Sequence, residues 1–373
     1  MTLPPVVVVG AGAAGLATAA ALRERGREVQ VLERADRVGA SWAGRYDSLH
    51  LHTVRWLSGL PGLPIPRSYG RWVARDDLVQ YLATYARKRS LQPELGTTVT
   101  RIDRDGSGWQ VRTDRGDRPA SRVVVATGYS HTPRRPAWPG VDTFPGDLRH
   151  SADYREPSSY AGKRVLVVGA GNSATEIALD LLGVGAEVML SVRTPPNIVP
   201  RDTVGVPSQV LGIALKRLPE RFMDPLTATL RRISVPDLTD HGLPRSNDPY
   251  STFRRTGTVP ILDTGIVDAV RSGRVRVVAA TVSVDGPTVH LADGSSITPD
   301  AVVAATGFTT GLEPMVGHLD VLDARGVPTV HGVDEHPAAP GLHFVGIKAE
   351  LSGLLREIGL EARRVGRALA ARD

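Results

Sequence analysis

The sequence contains no cysteine among its 373 residues. This absence excludes disulfides, thiolate metal sites, iron–sulfur ligation and CxxC redox pairs, and we expect no metal site. Long hydrophobic runs are also missing, since no window approaches the ~18 uncharged apolar residues of a membrane span. The apolar run at the N-terminus lacks the basic residues that open a signal peptide. We therefore expect a cytoplasmic protein without a membrane span.

Lysine is scarce: only four residues are lysine, so arginine supplies most of the 45 basic side chains. The net charge is +6, and arginine pairs such as Arg134-Arg135 and Arg363-Arg364 are scattered along the chain. Aromatic residues make up only 5% of the sequence and do not interleave with these pairs. This pattern argues against nucleic-acid binding. Positive charge still favours anionic ligands such as phosphorylated cofactors.

The first nucleotide-binding pattern opens the chain. Four valines, Val6–Val9, run into the fingerprint Gly10-Ala-Gly12-Ala-Ala-Gly15, and an Ala/Leu-rich segment follows. Gly10 permits a tight turn, Gly12 leaves room for a pyrophosphate at the helix N-terminus, and Gly15 allows close helix–strand packing. Glu33 ends the next apolar run, where a carboxylate binds the adenosine ribose. The stretch predicts a dinucleotide site of the FAD type.

The same order of elements then repeats, which is the most informative feature of the sequence. Apolar residues up to Val168 lead into Gly169-Ala-Gly171-Asn172-Ser173-Ala174, and a helix and a strand follow. After each fingerprint, short strands separated by Gly/Asp turns predict a β-meander, the first of them over residues 98–102 around Val99. Each repeat closes on an Ala-Thr-Gly end, at Thr127-Gly128 and at Thr306-Gly307.

Two complete repeats predict an α/β protein with two Rossmann-like dinucleotide-binding domains, each with a β-meander. The length of the chain allows this many domains. We expect an FAD domain formed by residues 1–150 and 308–373. The NADPH domain, residues 151–307, would be inserted between these two parts.

The second repeat differs from the first at the ribose position. Val192 stands where the first repeat has Glu33, and Arg193 follows it directly. An arginine there accommodates the 2′-phosphate of NADPH, which an acidic residue would repel. Arg201 is a candidate for a second phosphate contact, and a plain surface arginine is the alternative.

Two nucleotide sites in a chain without cysteine limit the reactions that this protein could catalyse. NADPH transfers a hydride to the flavin, and the reduced flavin must then pass its electrons to an acceptor. Disulfide reductases of this architecture need a cysteine pair beside the flavin, and this chain has none. Oxygen or a small electron-carrier protein remains as the acceptor.

Between the repeats lies Phe144-Pro-Gly146-Asp-Leu-Arg-His150-Ser-Ala-Asp-Tyr154. This segment resembles the FxGxxxHxxxY/F signature of the flavin-containing monooxygenases, and we interpret it as a linker that sets the orientation of two domains. A docking hinge with a capping His150 is the alternative. The resemblance covers nearly the whole chain and is closest to the plant YUCCA-type branch, through Ala40-Ser41-Trp42, Leu51-His52, Gly171-Asn172-Ser173, Val192-Arg193, Pro200-Arg201 and Ala305-Thr306-Gly307-Phe308.

The resemblance implies that NADPH reduces FAD and that the reduced flavin forms a C4a-(hydro)peroxide with O₂, which oxygenates a small organic substrate. It implies His52, Asn172 and His150 as catalytic residues, with a purely structural role as the alternative for His52. Trp42 and the Gly346 end of the segment from Gly341 would contact FAD, with Asn172 and Ser173 on the NADP⁺ phosphates. The full predicted cofactor set is Gly10, Gly12, Gly15, Glu33, Trp42, Val99, Thr127, Gly128, Gly169, Gly171, Asn172, Ser173, Arg193, Arg201, Thr306, Gly307 and Gly346.

His52 marks a departure within the wider family, because animal members have an asparagine at its position. The reaction type therefore stays open between N- or S-oxygenation, Baeyer–Villiger insertion and oxidative decarboxylation of a 2-oxo acid such as an indole-3-pyruvate-like acid. An NADPH reductase that passes electrons to a ferredoxin-type partner, or an oxidase that forms H₂O₂, is the alternative. A homodimer is left open.

Overall fold

The computed structural model describes residues 3–203, 205–215, 219–246, 259–348, 350 and 352–371. The chain divides into two compact units. Unit 1 comprises Met1–Gly44, Thr53–Thr132 and Phe308–Asp373, and unit 2 comprises Arg45–His52 and Pro133–Gly307. Unit 2 thus begins earlier than the predicted limit after residue 150. The predicted limits themselves stay a prediction.

The helices of the described residues combine long and very short segments. In chain order they are α1 (Ala13–Arg23), α2 (Ala40–Ala43), α3 (Arg75–Lys88), α4 (Asn172–Gly183), α5 (Ser208–Leu215), α6 (Glu220–Ser234), α7 (Ile266–Arg271), α8 (Glu313–Val316) and α9 (Leu354–Ala370).

The strands are mostly short. In chain order they are β1 (Val6–Val9), β2 (Val29–Glu33), β3 (His50–Val54), β4 (Trp72–Ala74), β5 (Glu94–Leu95), β6 (Val99–Asp105), β7 (Gly108–Thr113), β8 (Arg118–Ala120), β9 (Arg122–Val125), β10 (Thr132–Pro133), β11 (Asp147–His150), β12 (Arg164–Val168), β13 (Glu187–Ser191), β14 (Ile198–Pro200), β15 (Asp202–Thr203), β16 (Val206–Pro207), β17 (Ile261–Asp263), β18 (Val275–Val278), β19 (Thr281–Asp285), β20 (Thr288–Leu291), β21 (Ser296–Ile297), β22 (Ala301–Ala304), β23 (Phe308–Thr309) and β24 (Leu342–Phe344).

Unit 1 is built on a parallel five-stranded sheet in the order β24-β9-β1-β2-β5. Every residue of the valine strand β1 is buried, as expected for the centre of a parallel sheet that is covered on both faces. Strands β6, β7 and β8 form a separate antiparallel meander, whose Trp109 lies in the same hydrophobic core as Val7.

Unit 2 repeats this plan with a parallel sheet in the order β11-β22-β12-β13-β18 and an antiparallel meander of β19, β20 and β21. Its main core joins β12, β13 and α4. The two sheets and two meanders confirm the predicted fold class. The segment from Phe144 to Tyr154, which we interpreted as a linker, contributes the edge strand β11 of this sheet.

Helices α1 and α9 of unit 1 approach closely because small residues line the contact. A Cβ atom added to Gly366 would stand 2.9 Å from the carbonyl oxygen of Ala21 and 3.0 Å from its Cβ. A side chain at this position would therefore push two buried helices apart.

Gly366→Ala is expected to destabilise the protein by about 1–3 kcal/mol, because the added methyl meets backbone rather than open space. Gly183→Ala is the matched control, since Gly183 is the exposed last residue of α4 and an added Cβ has nothing within 4 Å. That variant should be neutral or stabilised by up to about 1 kcal/mol. Urea unfolding of both variants measures the difference, and equal midpoints would contradict this account of the helix contact.

Candidate nucleotide-binding sites

The turn after β1 has the backbone geometry that a diphosphate needs. Gly10 has φ +105°, and a Cβ there would lie 2.8 Å from the carbonyl oxygen of Ala126. A Cβ on Gly15 would lie 1.8 Å from the carbonyl oxygen of Gly10. At Gly12, by contrast, an added Cβ meets nothing within 4 Å, and no side chain caps the helix. Open space therefore faces the N-terminus of α1, which is a ready anion site.

Glu33 lies directly beside this turn. Its carboxylate accepts the backbone N–H of Ala11 at 2.7 Å and that of Ala35 at 2.9 Å, one on each oxygen. Since a carboxylate offers about four acceptor positions, capacity for two further donors remains. This geometry agrees with the predicted role on a ribose, and the role itself stays a prediction.

The strand end at Thr127 contributes a buried polar atom. Its hydroxyl oxygen has no hydrogen-bond partner among the described residues, although its Cα lies close to Gly10. Buried hydroxyls are normally satisfied, so an orphan here indicates that a ligand group completes the site. Gly128, next to it, has φ +80°.

Gly346 comes to the same end of α1 from the C-terminal part of the chain. A Cβ there would lie 2.6 Å from the Cβ of Ala14, and its N–H donates to the carboxyl of Glu361 at 2.8 Å. Burial raises the pKa of the Glu361 carboxyl. Trp42 is half-buried on α2, while the side chain of Val99 lies in the hydrophobic core.

The second fingerprint has the same geometry in unit 2. Gly169 has φ +130°, and a Cβ there would lie 2.5 Å from the carbonyl oxygen of Ala305. A Cβ on Gly171 would meet nothing within 4 Å, and no side chain caps α4. Ala174 occupies the third fingerprint position and is fully buried. The N-terminus of α4 is thus a second anion site.

Asn172 has its side chain engaged within unit 2. Its amide donates to the carbonyl of Pro260 at 3.2 Å and accepts the N–H of Leu262 at 2.9 Å. The amide therefore ties the N-terminus of α4 to strand β17. One donor and one acceptor position of the amide remain, and the catalytic role of Asn172 stays a prediction.

The end of β13 presents the basic side chain that the sequence predicts. Val192 donates its N–H to Val278 and is half-buried, whereas Arg193 is exposed. Unit 2 has no carboxylate at the position equivalent to Glu33 of unit 1. Arg201 follows β14 and is half-buried.

His150 closes strand β11 and is fully buried. Its Nδ1 accepts the N–H of Ala152 at 3.1 Å, so the hydrogen is on Nε2, which donates to the carbonyl of Gly307 at 3.1 Å. Burial lowers the pKa of this imidazole. The Thr306 hydroxyl donates to the backbone carbonyl of Arg134. His150 therefore holds the Thr306-Gly307 loop of unit 2.

The remaining positions of the Phe144–Tyr154 motif also have structural explanations. A Cβ on Gly146 would lie 2.5 Å from the carbonyl of Asp300 and 2.7 Å from the Phe144 ring. The Tyr154 hydroxyl donates to Asp180 on α4 at 2.8 Å. Its ring stacks on Tyr160 at 6.0 Å between centroids.

One polar cluster was not predicted from the sequence. Glu176, on α4, lies with one carboxylate oxygen 2.9 Å from Nε2 of His52, while its other oxygen accepts the hydroxyl of Tyr46. Burial and the Glu176 charge raise the pKa of Tyr46. The spacing of Glu176 and Asp180, four residues apart on a largely apolar helix, is the signal that could have indicated buried carboxylates.

Comparison with known proteins identifies the family. The chain is 34% identical over 351 residues to the indole-3-pyruvate monooxygenase YUCCA1 of Oryza sativa subsp. japonica, with 92% of this chain and 86% of the relative covered. The chain belongs to the flavin-containing monooxygenase family, in its YUCCA-type branch. YUCCA6 of Arabidopsis thaliana, also named an indole-3-pyruvate monooxygenase, is 32% identical over 373 residues, with 96% of this chain and 88% of the relative covered.

The flavin-containing monooxygenase of Stenotrophomonas maltophilia has a TM-score of 0.73 at 26% identity, covering 98% of each chain. The OTEMO complex with FAD and NADP has the same fold, with a TM-score of 0.73 at 19% identity over 98% of this chain and 84% of that one. Membership of the flavin-containing monooxygenase family makes FAD and NADPH the cofactors of this enzyme.

A model of the pyridine nucleotide-disulphide oxidoreductase family also matches, over residues 7–206. That match reflects the shared nucleotide-binding architecture, because a chain without cysteine cannot carry out dithiol chemistry. Within the described part of the chain, no helix could cross a membrane and no cluster of side chains could hold a metal ion.

The two open glycine positions allow each nucleotide to be assigned to its unit. Gly12→Ala and Gly171→Ala add a methyl that touches no protein atom, and neither backbone has positive φ. Both variants should fold normally. Because the methyl would meet the diphosphate, we expect Gly12→Ala to weaken FAD binding and Gly171→Ala to weaken NADP⁺ binding, each by roughly 5- to 150-fold.

FAD content after gel filtration and NADP⁺ titration calorimetry measure the two effects, and each variant serves as the other's control. Loss of FAD from Gly171→Ala with NADP⁺ binding intact would reverse the assignment.

Proposed function

We propose that this monooxygenase acts on a 2-oxo acid by oxidative decarboxylation. The identity to relatives named indole-3-pyruvate monooxygenases, over nine-tenths of the chain, is the observation that carries the proposal. An aryl-substituted pyruvate is the substrate class to test first. One 2-oxo acid, one O₂, one NADPH and one proton would give a carboxylic acid shorter by one carbon, with one CO₂, one water and one NADP⁺.

The residues of unit 1 support the binding of FAD, which supplies hydride acceptance and oxygen activation when bound. The open N-terminus of α1 at Gly12 would take the diphosphate, Glu33 the ribose hydroxyls, and the orphan hydroxyl of Thr127 a further polar group. Gly346 lets the C-terminal part of the chain pack closely against the first turn of α1.

The residues of unit 2 support the binding of NADPH. The N-terminus of α4 at Gly171 and Ser173 would take the diphosphate, and Arg193 the 2′-phosphate. The buried bond from His150 to Gly307 would keep the Thr306-Gly307 loop in place around the bound nucleotide.

The substrate assignment is tested by anaerobic reduction of the enzyme with NADPH, followed by mixing with air-saturated buffer and indole-3-pyruvate. Stoichiometric loss of O₂ and release of CO₂ with the shortened acid would support it. Oxygenation of a thioether or tertiary amine with no turnover of the 2-oxo acid would overturn it. Reduction of a ferredoxin under argon, or conversion of all O₂ to H₂O₂, would favour a reductase or an oxidase.

A cytoplasmic location and a homodimer are further parts of the proposal. Cell fractionation measures the first, and sedimentation equilibrium of the FAD-loaded protein measures the second.

Arg193→Ala is expected to raise the KM for NADPH by roughly 10- to 150-fold, the effect of losing one charge-assisted contact of about 1.5–3 kcal/mol. The KM for NADH, which lacks the 2′-phosphate, should change little. Arg271→Ala, another exposed arginine of unit 2, is the control and should alter neither value. Equal changes for both cofactors in Arg193→Ala would show that a different arginine holds the phosphate.

A further inference from the structure

The Glu176 carboxylate joins two side chains from the Arg45–His52 segment of unit 2. Nε2 of His52 lies 2.9 Å from one oxygen, and Tyr46 donates its hydroxyl to the other. The side chains of His52 and Glu176 are only 24% and 15% exposed, so solvent screens this contact weakly. Ser173, in the first turn of α4, lies beside the Tyr46 hydroxyl. A connected path of polar contacts therefore runs from Tyr46 through Glu176 to His52.

This contact decides where the neutral imidazole of His52 has its hydrogen. An ionised carboxylate only accepts hydrogen bonds, so the ring nitrogen that faces it, Nε2, must be the donor. Nδ1 is then left with its lone pair. That atom is buried and has no hydrogen-bond partner among the described residues. A buried acceptor without a partner is rare in proteins and indicates that a ligand supplies the missing donor.

The position of Glu176 indicates which ligand this is. It lies on the same helix as Ser173, one turn from the N-terminal anion site of unit 2. The nicotinamide cofactor, whose phosphates would bind there, has ribose hydroxyls and a carboxamide N–H group as donors. An imidazole Nδ1 lone pair matches either group.

We propose that Glu176 is a positioning residue, which fixes His52 in the Nε2–H tautomer and presents Nδ1 as a hydrogen-bond acceptor to the nicotinamide cofactor. This inference rests on the proposed NADPH site of unit 2, but not on the identity of the oxygenated substrate. Tyr46 holds the second carboxylate oxygen and so fixes the direction of the first.

The chain offers a graded set of variants. Glu176→Gln keeps an oxygen that can accept from Nε2–H, whereas Glu176→Leu removes it. Tyr46→Phe frees the second carboxylate oxygen. Asp180→Asn is the matched control: it alters a carboxylate one turn further along α4 that also accepts a tyrosine hydroxyl, from Tyr154, and that has no histidine partner within the part of the chain that the structure describes.

The tautomer is measured directly by ¹⁵N spectra of the FAD-loaded enzyme with labelled histidine, in which His52→Asn identifies the His52 signals. We expect the Nε2–H tautomer in the parent enzyme and in Glu176→Gln and Asp180→Asn, and a mixture of tautomers in Glu176→Leu. Tyr46→Phe should broaden the His52 signals. Addition of NADP⁺ should shift the Nδ1 signal of the parent enzyme and leave that of Glu176→Leu nearly unchanged.

NADP⁺ affinity gives a second readout that needs no turnover. Glu176→Leu should weaken NADP⁺ binding by about 2- to 12-fold, the effect of one lost hydrogen bond, while Glu176→Gln and Asp180→Asn stay near the parent value. An Nδ1–H tautomer in the parent enzyme would overturn the proposal. So would equal NADP⁺ affinity in Glu176→Leu and the parent, or an Nδ1 shift that needs the 2-oxo acid rather than NADP⁺.

The two proposals fail separately. If indole-3-pyruvate is not turned over but the Nδ1 signal responds to NADP⁺, only the substrate assignment is wrong. If Glu176→Leu does not fold, the parent spectrum and the Glu176→Gln and Tyr46→Phe variants still decide the question.

Discussion

The close packing of each fingerprint turn against a neighbouring strand end is the constraint on which both units depend. In unit 1 the turn at Gly10 touches the backbone of Ala126, and in unit 2 the turn at Gly169 touches that of Ala305. No side chain fits at either position. Because the turn is held this closely, the following helix begins where its N–H groups face open space, and a diphosphate can bind without rearrangement of the chain.

This constraint explains why the sequence predicted the fold well. Glycine spacing, valine-rich strands and Ala-Thr-Gly ends are local signals, and each reports a backbone geometry that only a few residues permit. The repeat of the whole order then fixed two parallel sheets and two meanders, as the structure confirms. The NADPH preference followed in the same way, from Val192 at the position of the acid and Arg193 directly after it.

Other features depend on contacts between distant segments, which a single sequence does not reveal. The motif from Phe144 to Tyr154 showed its family resemblance but not its place at the edge of a sheet, because β11 pairs with β22, more than 150 residues later. The environment of His52 was hidden for the same reason. Its partner Glu176 lies far along the chain, on α4.

Helix α4 combines two kinds of chemistry that its sequence keeps apart. Its N-terminal turn is free of side-chain caps and faces open space, while one side holds two carboxylates, Glu176 and Asp180, in a partly buried setting. Like charges four residues apart destabilise a helix, and burial raises the pKa of Asp180. Each carboxylate accepts a tyrosine hydroxyl, which offsets this cost. Of these two carboxylates only Glu176 also contacts a histidine among the residues described, His52. The two therefore have similar surroundings, but only Glu176 can set the tautomer of an imidazole.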